Sequence, residues 1–189
     1  MSQQKLLSLV AGRLKALNIP CMLTGSLASS LQGEPRATHD VDLLVDLSLS
    51  QVDSLASFFV GPDFYLSKSA MQDAVQQRRM FNLLDLTSGD KVDFWLVTNE
   101  PFDQSRFRRR RPANIFGTEI DVSSPEDTIL MKLKWANASG GSEKQFHDSL
   151  RVYELQSVQL DHTYLESWVE PLQITELWQR LLTEAEPIG

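Results

Sequence analysis

Apolar residues near the N-terminus recur at the spacing of one helix face. A helix over residues 3–18 is predicted by the apolar positions Leu6, Leu7, Val10, Leu14 and Leu17. Asn18 to Pro20 end this helix, because asparagine and proline interrupt the pattern before the next apolar run. That run, Cys21 to Leu23, predicts a short buried strand that leads into a second, short helix over residues 26–32.

The segment that begins at Asp40 starts with alternating acidic and apolar residues. In a strand, residues two apart project from the same face. Val41, Leu43 and Val45 are therefore predicted to face the core, while Asp40 and Asp42 project together from the other face. The sequence thus places two carboxylates side by side at the open face of a strand.

The rest of the chain changes from mixed to purely helical periodicity. Up to residue 122 the pattern predicts a helix after Ser50, a short strand at 64–66, a helix at 69–79, and strands at 81–86, 92–97, 114–116 and 119–122. Ser124 and Pro125 start a helix, and further helices are predicted at 142–155, 161–169 and 174–185. We therefore expect an α/β (α+β) core at residues 1–122 and a C-terminal helical portion at 123–189 packed on it.

Length and composition narrow the class of protein. A chain of 189 residues suits one domain, or a core with a small appendage. The single Cys21 cannot form an internal disulfide, and neither a signal pattern nor a bilayer-spanning apolar run is present, which together predict a cytoplasmic protein without a membrane partner. The formal charge of −7 argues against broad nucleic-acid coating, and the one basic run, Arg106 to Arg111, is either a local contact with RNA or nucleotide phosphate or a solvated face.

The paired acids are the first candidate for chemistry. Two adjacent carboxylates repel each other, and the pair is best explained by a divalent cation held between them and a polyphosphate. The alternative is a half-exposed strand whose solvent face is acidic. Gly25 and Ser26 favour the metal interpretation, because glycine lets the backbone approach a phosphate and Ser26 adds a hydroxyl to the free N–H groups of a helix start.

These elements occur together in the stretch LTGSLASSLQGEPRATHDVDLLVD, from Leu23 to Asp46. Its Gly-Ser pair, thirteen intervening residues and Asp-x-Asp resemble the signature of the nucleotidyltransferase superfamily, which has a polymerase-beta-like fold. With Pro35, Arg36 and Thr38 before the acids, it is similar to small bacterial nucleotidyltransferase-like proteins of the minimal and abortive-infection type. The likeness runs on through SPEDTILMKLKW and SEKQFHDSL.

The resemblance implies a mixed β-sheet flanked by helices and a third carboxylate from a neighbouring strand. Asp93 is the first choice for that acid and Asp85 the second. With Asp40 and Asp42, Asp93 would bind two Mg²⁺ ions and take part in catalysis. Gly25, Ser26, Arg36 and Lys132 would contact the triphosphate of an NTP, although an exposed amphipathic face explains Lys132 equally well.

The activity implied is Mg²⁺-dependent transfer of NMP from an NTP to a hydroxyl of tRNA, protein or a small molecule. The same resemblance suggests a cognate toxin or antitoxin partner. The alternative is a catalytically silent module of the same fold that binds nucleotide and acts through a partner.

Overall fold

The computed structural model describes residues 2–38 and 40–186, which divide into two compact units. Of the described residues, 2–24, 38 and 40–122 form the first unit, and 25–37 and 123–186 form the second. In chain order the elements are α1 (Gln3–Ala16), β1 (Cys21–Thr24), α2 (Gly25–Gln32), β2 (Asp40–Val45), α3 (Leu49–Ser57), β3 (Phe64–Leu66), α4 (Lys68–Gln77), β4 (Met80–Asp85), β5 (Lys91–Leu96), α5 (Pro101–Arg108), β6 (Arg111–Ile115), β7 (Thr118–Val122), α6 (Pro125–Ala138), α7 (Glu143–Gln156), a short 3₁₀ helix (Ser157–Gln159), α8 (His162–Val169) and α9 (Thr175–Glu184). The segment 25–37 therefore groups with the C-terminal helices, and the domain boundary at residue 122 stays a prediction.

A mixed sheet forms the first unit. Among the described residues it has seven strands in the order β3-β4-β5-β2-β1-β7-β6. Strand β2 is antiparallel to β1 but parallel to β5, so β2 and β5 start at the same edge of the sheet. This pairing sets Asp40 opposite Lys91 and Asp42 opposite Asp93. The mixed sheet with flanking helices confirms the predicted fold class.

Strand β2 shows how the predicted alternation shapes the core. Val41, Leu43 and Val45 are completely buried, as expected from their spacing. Leu44 is buried as well, although it has the same parity as the two acids. It belongs to an apolar cluster with Met22, Val97, Phe107 and, at its margin, Trp95. The acidic character of this face is therefore confined to the start of the strand.

The helix α5 was not predicted from the sequence. It begins with Pro101 after Glu100 and buries Phe102, Arg106 and Phe107 among otherwise polar residues, so its apolar periodicity is weak. The following strand β6 begins at Arg111 and includes Pro112, whereas the sequence pattern indicated a strand at 114–116. Proline is tolerated there because β6 is an edge strand of the sheet.

The second unit is helical. Helix α6 packs on α7, and α2 contacts both of them. The predicted start of α6 is confirmed, since the Ser124 hydroxyl accepts a hydrogen bond from the Asp127 amide at 3.2 Å and Pro125 lies in the first turn. Gly33 lets α2 approach α7 closely, because a Cβ at this position would lie 2.9 Å from the Val152 amide nitrogen.

Candidate functional site

The three predicted catalytic acids lie on one face of two paired strands in the first unit. Asp40 and Asp42 belong to β2, and Asp93 lies directly opposite Asp42 on the parallel strand β5. Residues that pair in register in a sheet project to the same side, so the structure brings these three carboxylates to one surface. We refer to Asp40, Asp42, Asp93 and their neighbour Lys91 as the acidic face.

Lys91 neutralises part of the acidic face. Its Nζ lies 2.8 Å from Asp93 Oδ2 and 3.7 Å from Asp40 Oδ2. The hydrogen bond to Asp93, together with the nearby carboxylates, raises the pKa of Lys91 despite its partial burial, so the ammonium group stays charged at neutral pH. Sequence reasoning missed Lys91, although its spacing of two from Asp93 was a signal that both side chains share a face.

Asp93 is the buried acid of the three. Its side chain is only 9% exposed, and Lys91 occupies Oδ2. Its other oxygen, Oδ1, is buried with no hydrogen-bond partner among the described residues. A buried carboxylate oxygen without a donor or cation is costly, because it has lost its water without replacement. Asp93 Oδ1 is therefore available to a hydrogen-bond donor or a cation.

Asp40 and Asp42 are more accessible. The Asp40 side chain is 51% exposed, while Asp42 is half-buried and its Oδ1 accepts a hydrogen bond from Trp95 Nε1 at 3.2 Å. Trp95 lies two residues beyond Asp93 on β5, at the margin of the apolar cluster. The carboxylates of the acidic face are therefore followed, two residues further along β5, by the aromatic side chain of Trp95.

The donors of the acidic face suit a hard divalent cation. Mg²⁺ prefers carboxylate oxygens, and the unpartnered Asp93 Oδ1 is a ligand atom of that kind. Within residues 2–38 and 40–186, however, no three His, Cys, Asp or Glu side chains are already arranged to hold a metal ion. The ammonium group of Lys91 contacts both Asp40 and Asp93, so the ligands are present but do not close around one point.

Asp85, the second candidate for the third acid, belongs to a different environment. It accepts hydrogen bonds from the Thr87 amide at 2.9 Å, the Thr87 hydroxyl at 2.6 Å and the Ser88 hydroxyl at 2.8 Å. The Thr87 hydroxyl is the main reason why the pKa of Asp85 lies well below its ordinary value. Asp85 is also three positions from Asn82, the partner of Asp93, which puts it on the opposite face of the sheet. Its carboxylate stabilises the β4–β5 turn.

The predicted phosphate-contacting residues meet in the second unit, around Asp148. Arg36 donates to Asp148 through Nε at 2.8 Å and Nη2 at 2.6 Å, and Lys132 Nζ lies 2.7 Å from Asp148 Oδ2. Both cations also reach the Ser26 hydroxyl oxygen, at 2.9 Å from Arg36 and 3.4 Å from Lys132. We call these four residues the cationic cluster. Lys132 is only 4% exposed, so the interpretation as an exposed helix face was wrong.

The cationic cluster keeps an excess of positive charge beside Ser26. Burial raises the pKa of Asp148, but hydrogen bonds from Arg36 and Lys132 lower it more strongly, so the carboxyl stays ionised. Counted over these four residues alone, two cations and one anion leave one positive charge. Ser26 lies in the first turn of α2, after Gly25 at φ 66°, where backbone N–H groups lack partners inside the helix. This combination suits a phosphate group.

The basic run from Arg106 to Arg111 does not form one continuous surface. Arg106 is buried and forms an ion pair with Asp103 at 2.8 Å. Arg110 pairs with Asp121 at 2.8 Å, and its guanidinium stacks on Phe107. Arg108 and Arg111 are exposed. Only part of the run is therefore available to a phosphate backbone, and the rest stabilises the fold.

Comparison with known proteins gives matches at the level of structure only. No family model matches the chain, and no curated protein matches its sequence. Among solved structures, ANT(2'')-Ia in complex with adenylyl-2''-tobramycin aligns with 92% of this chain and 98% of its own, at a TM-score of 0.60 and 15% identity. An antigenic nucleotidyltransferase-like protein from Paracoccidioides brasiliensis covers 97% of this chain and 93% of its own, with a TM-score of 0.52 and 18% identity.

A third structure extends the same pattern. The lincosamide antibiotic adenylyltransferase LnuA, bound to lincomycin, covers 82% of this chain and 98% of its own, with a TM-score of 0.54 and 11% identity. At identities this low, the structural likeness establishes a shared architecture alone. The alignments nevertheless extend over most of both chains, and the similar proteins are nucleotidyltransferases or resemble them by name. The chain has the fold of the nucleotidyltransferase superfamily.

Proposed function

We propose that this protein is a magnesium-dependent nucleotidyltransferase that transfers NMP from an NTP to a hydroxyl acceptor. The observation that carries the proposal is the acidic face. Three carboxylates from two paired strands share one surface in a chain with the nucleotidyltransferase fold, and the buried one has an unpartnered oxygen. An acidic strand face without function would leave its acids in water, whereas the Asp93 side chain is more than nine-tenths buried.

In this proposal the acidic face supplies metal ligands and a proton acceptor. Asp40, Asp42 and Asp93 would hold Mg²⁺, and a metal bound there would neutralise polyphosphate charge and lower the pKa of the acceptor hydroxyl. The acceptor oxygen forms a bond to the α-phosphorus, the bond from that phosphorus to the bridging oxygen of the β-phosphate breaks, and pyrophosphate leaves. Asp93 Oδ1 is the atom proposed to accept the hydroxyl proton, because Lys91 already occupies Oδ2.

The cationic cluster of the second unit is proposed to bind nucleotide phosphate. Arg36 and Lys132 supply positive charge, and Ser26 and the start of α2 supply hydrogen-bond donors. Asp148 would hold both cations in place and would neutralise part of their positive charge. Gly25 allows the backbone conformation that starts the helix, since φ 66° is unfavourable for other residues.

Transfer is tested with ATP labelled either at the α- or at the γ-phosphate. The protein is incubated with Mg²⁺, one of the two labelled ATPs, and an acceptor, which is either total tRNA or another purified protein. The other three NTPs are then tested as competitors. We expect label from the α-position alone to enter an acceptor, and Asp42→Asn to abolish it. Incorporation from the γ-position alone would contradict the proposal, because it would indicate phosphoryl transfer.

One observation favours the alternative of a catalytically silent binding module. Lys91 contacts two of the three acids, and a lysine so placed would let the acidic face persist without metal. The module hypothesis predicts ATP binding with no label transfer to any acceptor and equal binding in EDTA and in Mg²⁺. The nucleotidyltransferase hypothesis predicts the opposite result in both measurements.

The remaining expectations on partners and location stay predictions. The sequence resemblance alone implies an RNA or protein acceptor and a toxin or antitoxin partner. The cytoplasmic location is an expectation from the sequence alone. None of the helices in the described part of the chain is long and apolar enough to cross a membrane. Co-purification of the tagged protein with bound RNA or a partner chain would test the first two.

A further inference from the structure

The acidic face contains its own cation. Lys91 lies on β5 directly opposite Asp40 of β2, two residues before Asp93. Its Nζ hydrogen-bonds Asp93 Oδ2 at 2.8 Å and is 3.7 Å from Asp40 Oδ2, and 28% of its side chain remains exposed. Lys91 is therefore held by two acids that the proposed function assigns to metal binding, but it retains a path to solvent.

The charge balance of the acidic face depends on this lysine. Counted over these four side chains alone, Asp40, Asp42 and Asp93 carry three negative charges when ionised, and Lys91 reduces the total to two. With Lys91 present, one divalent cation makes these four side chains neutral, and a second cation would be repelled by the ammonium group. Without Lys91, one negative charge would remain after the first cation and would still attract a second. Without Lys91 the same face would carry three negative charges and attract divalent cations more strongly.

The two oxygens of Asp93 divide between these roles. Oδ2 is occupied by Lys91, while Oδ1 is buried and without a partner. A metal ion that approached Asp93 would find Oδ1 available at once, but Oδ2 would become available only after Lys91 had moved. Lys91 thus controls how many oxygen ligands the buried acid can offer.

We propose that Lys91 is a resident cation of the acidic face, which limits the nucleotide-free protein to one bound divalent ion and weakens its binding. The inference rests on the proposed function, since it assumes that Asp40, Asp42 and Asp93 are metal ligands. It makes Lys91 a positioning residue that holds the acids together before metal arrives and competes with metal for Asp93. The two ions expected from the sequence resemblance would then require NTP or displacement of Lys91.

The test is Mn²⁺ binding to nucleotide-free protein, measured by electron paramagnetic resonance of the free ion. Wild type is expected to bind one Mn²⁺ per chain at saturation. Lys91→Met removes the charge but keeps a long side chain, and it should lower the dissociation constant at least about tenfold. Lys91→Arg keeps the charge and should bind Mn²⁺ as wild type does.

A control removes the same charge elsewhere in the first unit. Lys68 forms an exposed ion pair with Asp53, and Lys68→Met should leave Mn²⁺ binding unchanged. Thermal unfolding gives a second readout: Lys91→Met should melt below wild type without metal, because the acids then repel each other, and saturating Mn²⁺ should restore most of the difference. If Lys91→Met does not fold, Lys91→Gln is tested in the same way.

The outcomes separate this inference from the proposed function. Two Mn²⁺ ions per wild-type chain, or equal or weaker binding by Lys91→Met, would overturn the inference and leave the metal site intact. Failure of both wild type and Lys91→Met to bind Mn²⁺ would overturn the proposed function together with the inference. Tighter binding by Lys91→Met, with Lys91→Arg and Lys68→Met unchanged, supports both.

Discussion

The Nζ of Lys132 lies 2.7 Å from Oδ2 of Asp148, and both side chains are more than nine-tenths buried. The same oxygen accepts a hydrogen bond from Arg36 at 2.6 Å. Two cations therefore share one buried carboxylate. Loss of that carboxylate would leave two positive charges close together with little water.

Asp148→Asn is expected to destabilise the protein by about 3 kcal/mol, the cost typical of leaving one partner of a buried ion pair uncompensated. The measurement is the free energy of unfolding in urea at neutral pH. Glu143 provides a matched control on the same helix, since its ion pair with Arg180 is exposed. Glu143→Gln should have a much smaller effect, and equal losses for the two variants would show that the burial of the cluster is energetically unimportant.

The stability contributed by Asp148 should depend on pH. Burial alone would raise the pKa of Asp148, but hydrogen bonds from Arg36 and Lys132 outweigh it and depress that pKa in the folded protein. A depressed carboxyl pKa stabilises the fold above the unfolded value of about 4, and this contribution is lost as pH falls through the folded pKa. The difference in unfolding free energy between wild type and Asp148→Asn should be constant near neutral pH and narrow in acid. A difference that does not change with pH would contradict this assignment.

Gly33→Ala should destabilise the packing of α2 on α7. The added Cβ would lie 2.9 Å from the Val152 backbone nitrogen, and a backbone atom cannot move aside as a flexible side chain can. Overpacking of this kind costs about 1–3 kcal/mol. Gly12→Ala is the control, because a Cβ there meets nothing within 4 Å and alanine favours the α1 helix by about 0.5–1 kcal/mol. Thermal unfolding of both variants checks the opposite signs.

The two exposed arginines of the basic run should affect polynucleotide binding alone. Replacing Arg108 and Arg111 with serine is expected to weaken binding of total tRNA, in filter binding, and to reduce its dependence on salt. Stability and ATP binding should not change. Arg106→Ser is the structural counterpart, since it breaks the buried pair with Asp103 and should lower the melting temperature. Unchanged tRNA binding by the double variant would make the exposed arginines a solvated face.

Local patterns predicted most of the elements, α5 excepted, but not the partners of the acids. The alternation of Val41, Leu43 and Val45 with Asp40 and Asp42 predicted the face of β2, because periodicity within one strand decides burial. The contact of Lys91 with Asp40 depends on the register between β2 and β5, which no local pattern specifies.

Distance along the chain and polarity explain the other gaps. Arg36 and Asp148 are 112 positions apart, and only the packing of α2 against α7 brings them together. Helix α5 was missed because its buried positions include Arg106, which the sequence pattern assigns to solvent. Buried charges were thus the main source of error, whether the partner is distant, as for Arg36 and Asp148, or three residues away, as for Arg106 and Asp103, because a buried charge looks like an exposed one in sequence.

The double variant Asp40→Asn, Asp42→Asn removes two of the three proposed metal ligands. Asparagine keeps the size of aspartate, and its amide oxygen at position 42 would still accept the hydrogen bond from Trp95 Nε1. Lys91 would keep its partner Asp93. We therefore expect the melting temperature of the metal-free variant to equal or exceed that of wild type, because fewer like charges repel each other.

Thermal unfolding with and without Mg²⁺ and ATP, on wild type and on this double variant, tests the metal site most directly. We predict that Mg²⁺ with ATP raises the wild-type melting temperature, that ATP in EDTA does not, and that the variant shows neither response. A variant that keeps the wild-type response to Mg²⁺ and ATP, or a wild type that responds equally in EDTA, would contradict the metal site.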